Sequence, residues 1–100
     1  MRAMASRRSR FEIYIDVLIE IKNGTVLPTK IMYGANLSWN TLQQTLETLT
    51  AQGFIEEQHM EGNKRSKNIY TLTRKGNKVL NYLKKIKEIL EPQEIVELAV

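Results

Sequence analysis

One hundred residues with no cysteine, one histidine and 42% hydrophobic side chains suit a single globular domain with a modest core. The missing thiols exclude disulfides, thiolate chemistry and Cys-ligated zinc, and His59 has no second histidine with which to share a metal. Net charge is +4, from 15 Lys and Arg against 11 Asp and Glu, and the excess is uneven. Arg2, Arg7, Arg8 and Arg10 crowd the start, and Lys64, Arg65 and Lys67 crowd a later loop, a clustering that suits a polyanionic partner. No apolar run approaches the ~20 residues of a membrane span. Glu12, Asp16 and Glu20 interrupt the apolar stretch behind the basic start, unlike a signal peptide. The expectation is a cytoplasmic protein, retained whole and without cofactor or metal.

In chain order, residues 1–8 are rich in Arg and Ser and read as a flexible basic arm. Ser9, with Glu12 three residues on, has the pattern of a capping box and opens a first helix that runs to Lys22. Phe11, Tyr14, Ile15, Leu18 and Ile21 form its core stripe, with Ile13 and Val17 widening it. Glu12, Asp16 and Glu20 line up at i, i+4 and i+8, and such like charges call for a cationic neighbour, for which the lysines of the last helix are candidates. Asn23-Gly24 ends the helix. Thr25-Val26-Leu27 reads as a short extended piece before Pro28, and Thr29–Gly34 as a brief second helix with Ile31 and Met32 as its apolar contacts. Gly34-Ala35-Asn36-Leu37 forms the turn.

Ser38 then caps the most informative helix. Leu42, Leu46 and Leu49 form an apolar back, while Asn40, Gln44 and Glu47 fall opposite, flanked by Gln43 and Thr48. Amide side chains offer both a donor and an acceptor, which is the chemistry that reads base edges in a DNA major groove. Trp39 lies about 60° from the Leu42 direction on a helical wheel, so half-buried packing and groove contact are both open to it. Gly53 stands where a left-handed terminator is wanted.

Phe54–His59 and Ile69–Leu72 read as two short strands, joined through Gly62-Asn63 with Lys64, Arg65 and Lys67 as a basic hairpin tip. Thr73 caps a last helix, Arg74 to Leu90, in which Gly76 marks close packing. Val79, Leu83, Ile86 and Leu90 are spaced 4, 3 and 4, and Leu80, Tyr82 and Ile89 broaden that seam beyond the needs of one small domain. Glu91-Pro92 stops the helix, and Ile95, Val96, Leu98 and Val100 make the remainder too apolar for an idle tail.

Helix, short strand, helix, turn, helix, strand, basic tip, strand, helix is the order of a winged helix-turn-helix, a mainly α (α+β) fold, here with a C-terminal dimerisation helix. The division expected is an arm at 1–8, a DNA-binding domain at 9–73, and a dimerisation helix with apolar tail at 74–100.

The segment Lys30-Ile31-Met32-Tyr33-Gly34-Ala35-Asn36-Leu37-Ser38 resembles one in the small archaeal winged-helix proteins typified by the 10a DNA-binding proteins of Sulfolobus, and Tyr70-Thr71-Leu72-Thr73-Arg74-Lys75-Gly76 resembles their entry into the last helix. The resemblance spans roughly residues 8–90. It implies a dimer held by antiparallel last helices and DNA binding of a chromatin type with low sequence specificity, related members being transcription regulators. It carries Ser38, Asn40, Gln43 and Gln44 over as recognition-helix positions, and Lys64, Arg65 and Lys67 as wing positions. Pro92 and the Arg-rich arm depart from the family pattern.

The expected partners are double-stranded DNA, in the nucleoid, and a second copy of the chain; no membrane partner and no small-molecule effector is marked. Arg7, Arg8, Arg10, Lys30, Ser38, Trp39, Asn40, Gln43, Gln44, Lys64, Arg65 and Lys67 are the candidate DNA contacts, and Val79, Tyr82, Leu83, Ile86, Ile89 and Leu90 the candidate dimer contacts. A sequence-specific regulator and a protein-docking winged helix are the alternatives. An enzyme is disfavoured, because no nucleophile–base pair or phosphate-cradling Gly loop is present.

Overall fold

In the computed structural model, which describes residues 8–62 and 66–90, the element order is α1 (Arg10–Lys22), α2 (Pro28–Ala35), α3 (Trp39–Ala51), β1 (Ile55–Glu61), β2 (Ser66–Leu72) and α4 (Arg74–Leu90). Each long helix begins where local chemistry satisfies its first free amides. The Ser9 hydroxyl accepts from the Glu12 amide at 3.1 Å while the Glu12 carboxylate accepts from the Ser9 amide at 3.1 Å, completing the capping box. Ser38 Oγ accepts from the Thr41 amide at 3.2 Å, and Thr73 Oγ1 from the Gly76 amide at 2.9 Å. Pro28 opens α2, where its missing amide proton costs nothing.

The turn between α2 and α3 differs from expectation. Gly34 is inside α2, and the left-handed residue is Asn36, at φ 57°. A Cβ on Gly34 would meet the carboxylate end of Glu20, a flexible side chain that can move aside. Asn36 tolerates the left-handed region through its short polar side chain.

Thr25-Val26-Leu27 forms no strand. Val26 contributes a single carbonyl, accepting from the Tyr70 amide at 3.0 Å, and Pro28 then begins a helix, leaving no length for a ladder. Among the described residues the sheet is the two-stranded antiparallel pair β1–β2. Its strands are longer than the sequence suggested: Met60 pairs with Lys67 and Glu61 with Ser66, so Lys67 is a strand residue and not part of the tip.

The core comprises Ile15, Val17, Leu18 and Ile21 of α1, Ile31 and Ala35 of α2, Leu42, Leu46 and Leu49 of α3, Ile55, Tyr70, and Leu80 of α4. Val17, expected to widen the apolar surface of α1, is fully buried. Each buried aliphatic side chain contributes about 1.5–3 kcal/mol relative to exposure. Thr45 is the one buried polar side chain among the described residues, and its hydroxyl is satisfied by donating to the Thr41 carbonyl at 2.8 Å. Gly76 packs α4 onto the β1 entry so closely that a Cβ would overlap the Phe54 carbonyl. Three helices under a β-hairpin, with a fourth helix crossing α1, make a winged helix.

Candidate nucleic-acid interface

Burying Leu42, Leu46 and Leu49 turns the opposite side of α3 to solvent. Asn40, Gln44 and Glu47 stand exposed as a ridge along the helix. A cleft runs along each flank. The first, about 550 Å³, lies between α3 and the start of α1 and is lined by Arg10, Tyr14, Thr41, Gln44, Glu47 and Thr48, among others. The second, about 400 Å³, lies between α3 and the hairpin, where Pro28, Thr29, Trp39 and Gln43 face Glu57, Lys67, Asn68 and Tyr70. The polar ridge of α3 thus stands between two clefts, one towards α1 and one towards the hairpin.

The candidate contacts distribute unequally over this surface. Arg10, Lys30, Asn40, Gln44 and Lys67 are exposed. Trp39 is half exposed, at 46%, on the wing side of the first turn, and Gln43 is half-buried beside it. Ser38 is exposed, with its hydroxyl engaged in the cap and donating to Thr41 Oγ1 at 3.0 Å. Arg7, Lys64 and Arg65 lie outside the described residues.

Arg8, expected as a phosphate contact, lines the first cleft and is also engaged within the chain. Its guanidinium donates to Asp16 at 2.7 Å and to the Asn36 carbonyl at 2.6 Å, the carbonyl left over by the left-handed turn. Arg8 is therefore the cation that relieves the acid row on α1. Glu12 is taken by the capping box and Glu20 lies against Gly34. The α4 lysines do not serve this row as expected; Lys75 donates to the Gln52 carbonyl at 2.8 Å and sits 5.2 Å from the Phe54 ring centre.

The hairpin adds residues that sequence reasoning missed. Glu57 accepts from the Asn68 amide at 2.8 Å and from the Tyr70 hydroxyl at 3.2 Å. Asn68 Oδ1 lies 2.8 Å from His59 Nδ1, whose other nitrogen is 3.7 Å from Glu61. Burial first, then the charge and hydrogen bond of Glu57 and the charge of Glu47, push the Tyr70 hydroxyl up to about 12, so it remains a donor. Strand alternation was the available signal, but it needed the pairing register that the turn sets. His59 sits within β1, not at its end.

On α4 the apolar positions divide. Leu80 is buried, and Leu83 is half-buried against the core. Val79 is half-buried, whereas Tyr82, Ile86, Ile89 and Leu90 are exposed at 67, 42, 69 and 68%. Leu83 thus serves this chain's own core, and the open stripe is Tyr82–Ile86–Ile89–Leu90.

Among the described residues no group of three or more His, Asp or Glu could hold a metal, and no helix is long and apolar enough to cross a membrane. An uncharacterised Methanocaldococcus jannaschii protein, MJ0287, is 34% identical over 84 residues, covering 84% of this chain and 78% of its own length. The crystal structure of Sso10a-2, a DNA-binding protein from Sulfolobus solfataricus, superposes with a TM-score of 0.73 at 23% identity, covering 92% of both chains. A PadR family transcription regulator from Clostridium difficile superposes with a TM-score of 0.68 at 19% identity, over 85% of this chain and 98% of that one. The winged helix-turn-helix family model matches residues 7–91, so with its four helices, paired wing strands and exposed α3 ridge this chain belongs to the winged helix-turn-helix family.

Proposed function

We propose that the protein binds double-stranded DNA as a homodimer, with α3 in the major groove, and that it acts architecturally on the nucleoid with low sequence specificity. The observation that carries the reading is the exposed ridge of Asn40 and Gln44 between two clefts, with Arg10 on one side and Lys67 on the other. The amides supply base-edge donors and acceptors, and the cations supply phosphate attraction without sequence information. The likeness to Sso10a-2, a DNA-binding protein, and to a PadR transcription regulator supports the same reading. In this reading Arg7, Lys64 and Arg65 add to the phosphate contacts.

The dimer rests on α4. Tyr82, Ile86, Ile89 and Leu90 leave an apolar stripe on a helix whose other side is spent on the core. Pairing two such helices across a two-fold axis removes the stripe from water and presents two copies of α3. Seventeen residues give about 25 Å of helix, room for two or three heptads along the seam.

Replacing Asn40 and Gln44 by Ala tests the reading. Binding to a panel of duplexes should keep its average affinity while preferences among them change. Uniform loss on every sequence would mean that α3 reads no bases. Genome-wide occupancy separates the architectural role, which gives broad coverage, from the alternative of a sequence-specific regulator, which gives a few sharp peaks.

A further inference from the structure

The wing-side cleft contains a carboxylate where a DNA-binding surface has no general use for one. Strand alternation and the pairing register put Glu57, His59 and Glu61 on the face of the hairpin shared with Tyr70 and Asn68, and Glu56 on the other face, opposite Thr71. Glu57 lines the cleft together with Trp39, Gln43 and Lys67. One of its oxygens is fixed twice, by the Asn68 amide and by the Tyr70 hydroxyl, which leaves Oε1 without a hydrogen-bond partner among the described residues. Among the described residues the Lys and Arg ion pairs come down to Arg8–Asp16, so no described lysine or arginine neutralises Glu57.

We propose that Glu57 is a specificity-determining residue of the DNA interface, its fixed carboxylate opposing phosphates at the wing-side cleft and accepting from base amino groups. This inference rests on the DNA-binding reading. A carboxylate accepts and cannot donate, so among major-groove edges it suits the amino groups of cytosine and adenine. Against the backbone it is repulsive wherever it stands, and that repulsion lowers affinity for every sequence that offers no donor at that position. Asn68 and Tyr70 are positioning residues: their two hydrogen bonds favour this rotamer of the solvent-exposed carboxylate over those that would move it away from the cleft. His59, held by Asn68 and facing Glu61, completes the row, and Lys67, which pairs with Met60 on the other face of the hairpin, lines the edge of the same cleft.

The test uses the full chain, three variants and a random-sequence duplex, with melting curves as the folding control. Glu57→Gln keeps the shape and removes the charge. It should bind the random duplex on the order of tenfold more tightly at low salt, and the gain should shrink as salt is raised. The spread in affinity across a panel of duplexes should narrow as well. Glu56→Gln removes the same charge one residue away on the other face and should change affinity less than about twofold. Tyr70→Phe keeps the charge and removes one of its two fixing bonds, the one from the hydroxyl, and should narrow the spread less than Glu57→Gln without the gain in affinity. Unchanged or weaker binding by Glu57→Gln would overturn the inference, as would an equal gain from Glu56→Gln, which would reduce the effect to net charge. Failure of the wild-type chain to bind any duplex would instead overturn the DNA-binding reading on which it rests.

Discussion

Arg8 and Asp16 are joined at 2.7 Å, and the same guanidinium reaches the Asn36 carbonyl at 2.6 Å, tying the start of α1 to the turn that orients α3. A hydrogen-bonded ion pair in this half-buried setting holds its geometry better than a free surface pair, and hydrogen bonds to charged groups are worth about 1.5–3 kcal/mol at best. Arg8→Ala should therefore cost about 1–2 kcal/mol of stability in urea unfolding while leaving the salt dependence of DNA binding nearly intact. Arg10→Ala should behave in the opposite way, with little change in stability and a salt slope shallower by about 1, the share of one phosphate. A reversal of the two phenotypes would make Arg8 the phosphate contact and contradict its structural role.

Gly76 makes a second prediction in which two rules compete. An exposed helical glycine replaced by alanine gains about 1 kcal/mol from propensity. Here the added Cβ would overlap a backbone carbonyl, that of Phe54, which cannot swing away like a side-chain tip. Overpacking of this kind costs about 1–3 kcal/mol or more, so Gly76→Ala should lower the melting temperature despite the better propensity. A stabilised variant would mean that α4 and the β1 entry are not in close backbone contact.

Tyr70 predicts an alkaline signature. Its hydroxyl is raised from 10.0 to about 12, so the folded state holds the proton more tightly than the unfolded chain. Its contribution to stability is complete below pH 10 and is lost as pH climbs through the window from 10 to about 12. Urea unfolding should show the wild-type chain losing more stability across that window than Tyr70→Phe, which has no proton to release. Parallel pH profiles would contradict the burial of Tyr70 and its contact with Glu57.

The apolar stripe on α4 predicts assembly. Tyr82→Glu with Ile89→Lys changes only exposed positions and should leave a folded protein that sediments as a monomer. Leu83 is unsuitable for this test because it packs against the core. A wild-type chain that remains monomeric at roughly 100 μM, a concentration that even a weak micromolar dimer would exceed, would remove the homodimer from the account.

What the sequence made legible was whatever depends on neighbours a few residues apart. Ser9 with Glu12, Ser38, Thr73 and the Leu42–Leu46–Leu49 stripe could be read because a cap or a helical face is fixed within one or two turns. The arrangement of the wing was not legible. Lys67 and Glu57 take their places from the hairpin register, which the sequence between the strands does not specify. Arg8 escapes sequence reasoning for a related cause: its partners, Asp16 and Asn36, come together only after the turn has closed. Of the six α4 positions expected at a dimer seam, Tyr82, Ile86, Ile89 and Leu90 stand exposed while Val79 and Leu83 are half-buried, and a spacing of 4, 3 and 4 could not say which flank packs on the core.

The most direct test of DNA binding through clustered cations is the salt dependence of affinity for a random-sequence duplex. If about four cations per subunit meet phosphates, a dimer neutralises about eight, and log K should fall against log salt with a slope near −7, at about −0.9 per phosphate. Ala at Lys64, Arg65 and Lys67 together should flatten that slope and weaken binding to all sequences alike. A wild-type slope shallower than about −2 would contradict the account, because so few released counterions cannot come from an interface built on a basic arm and a basic wing.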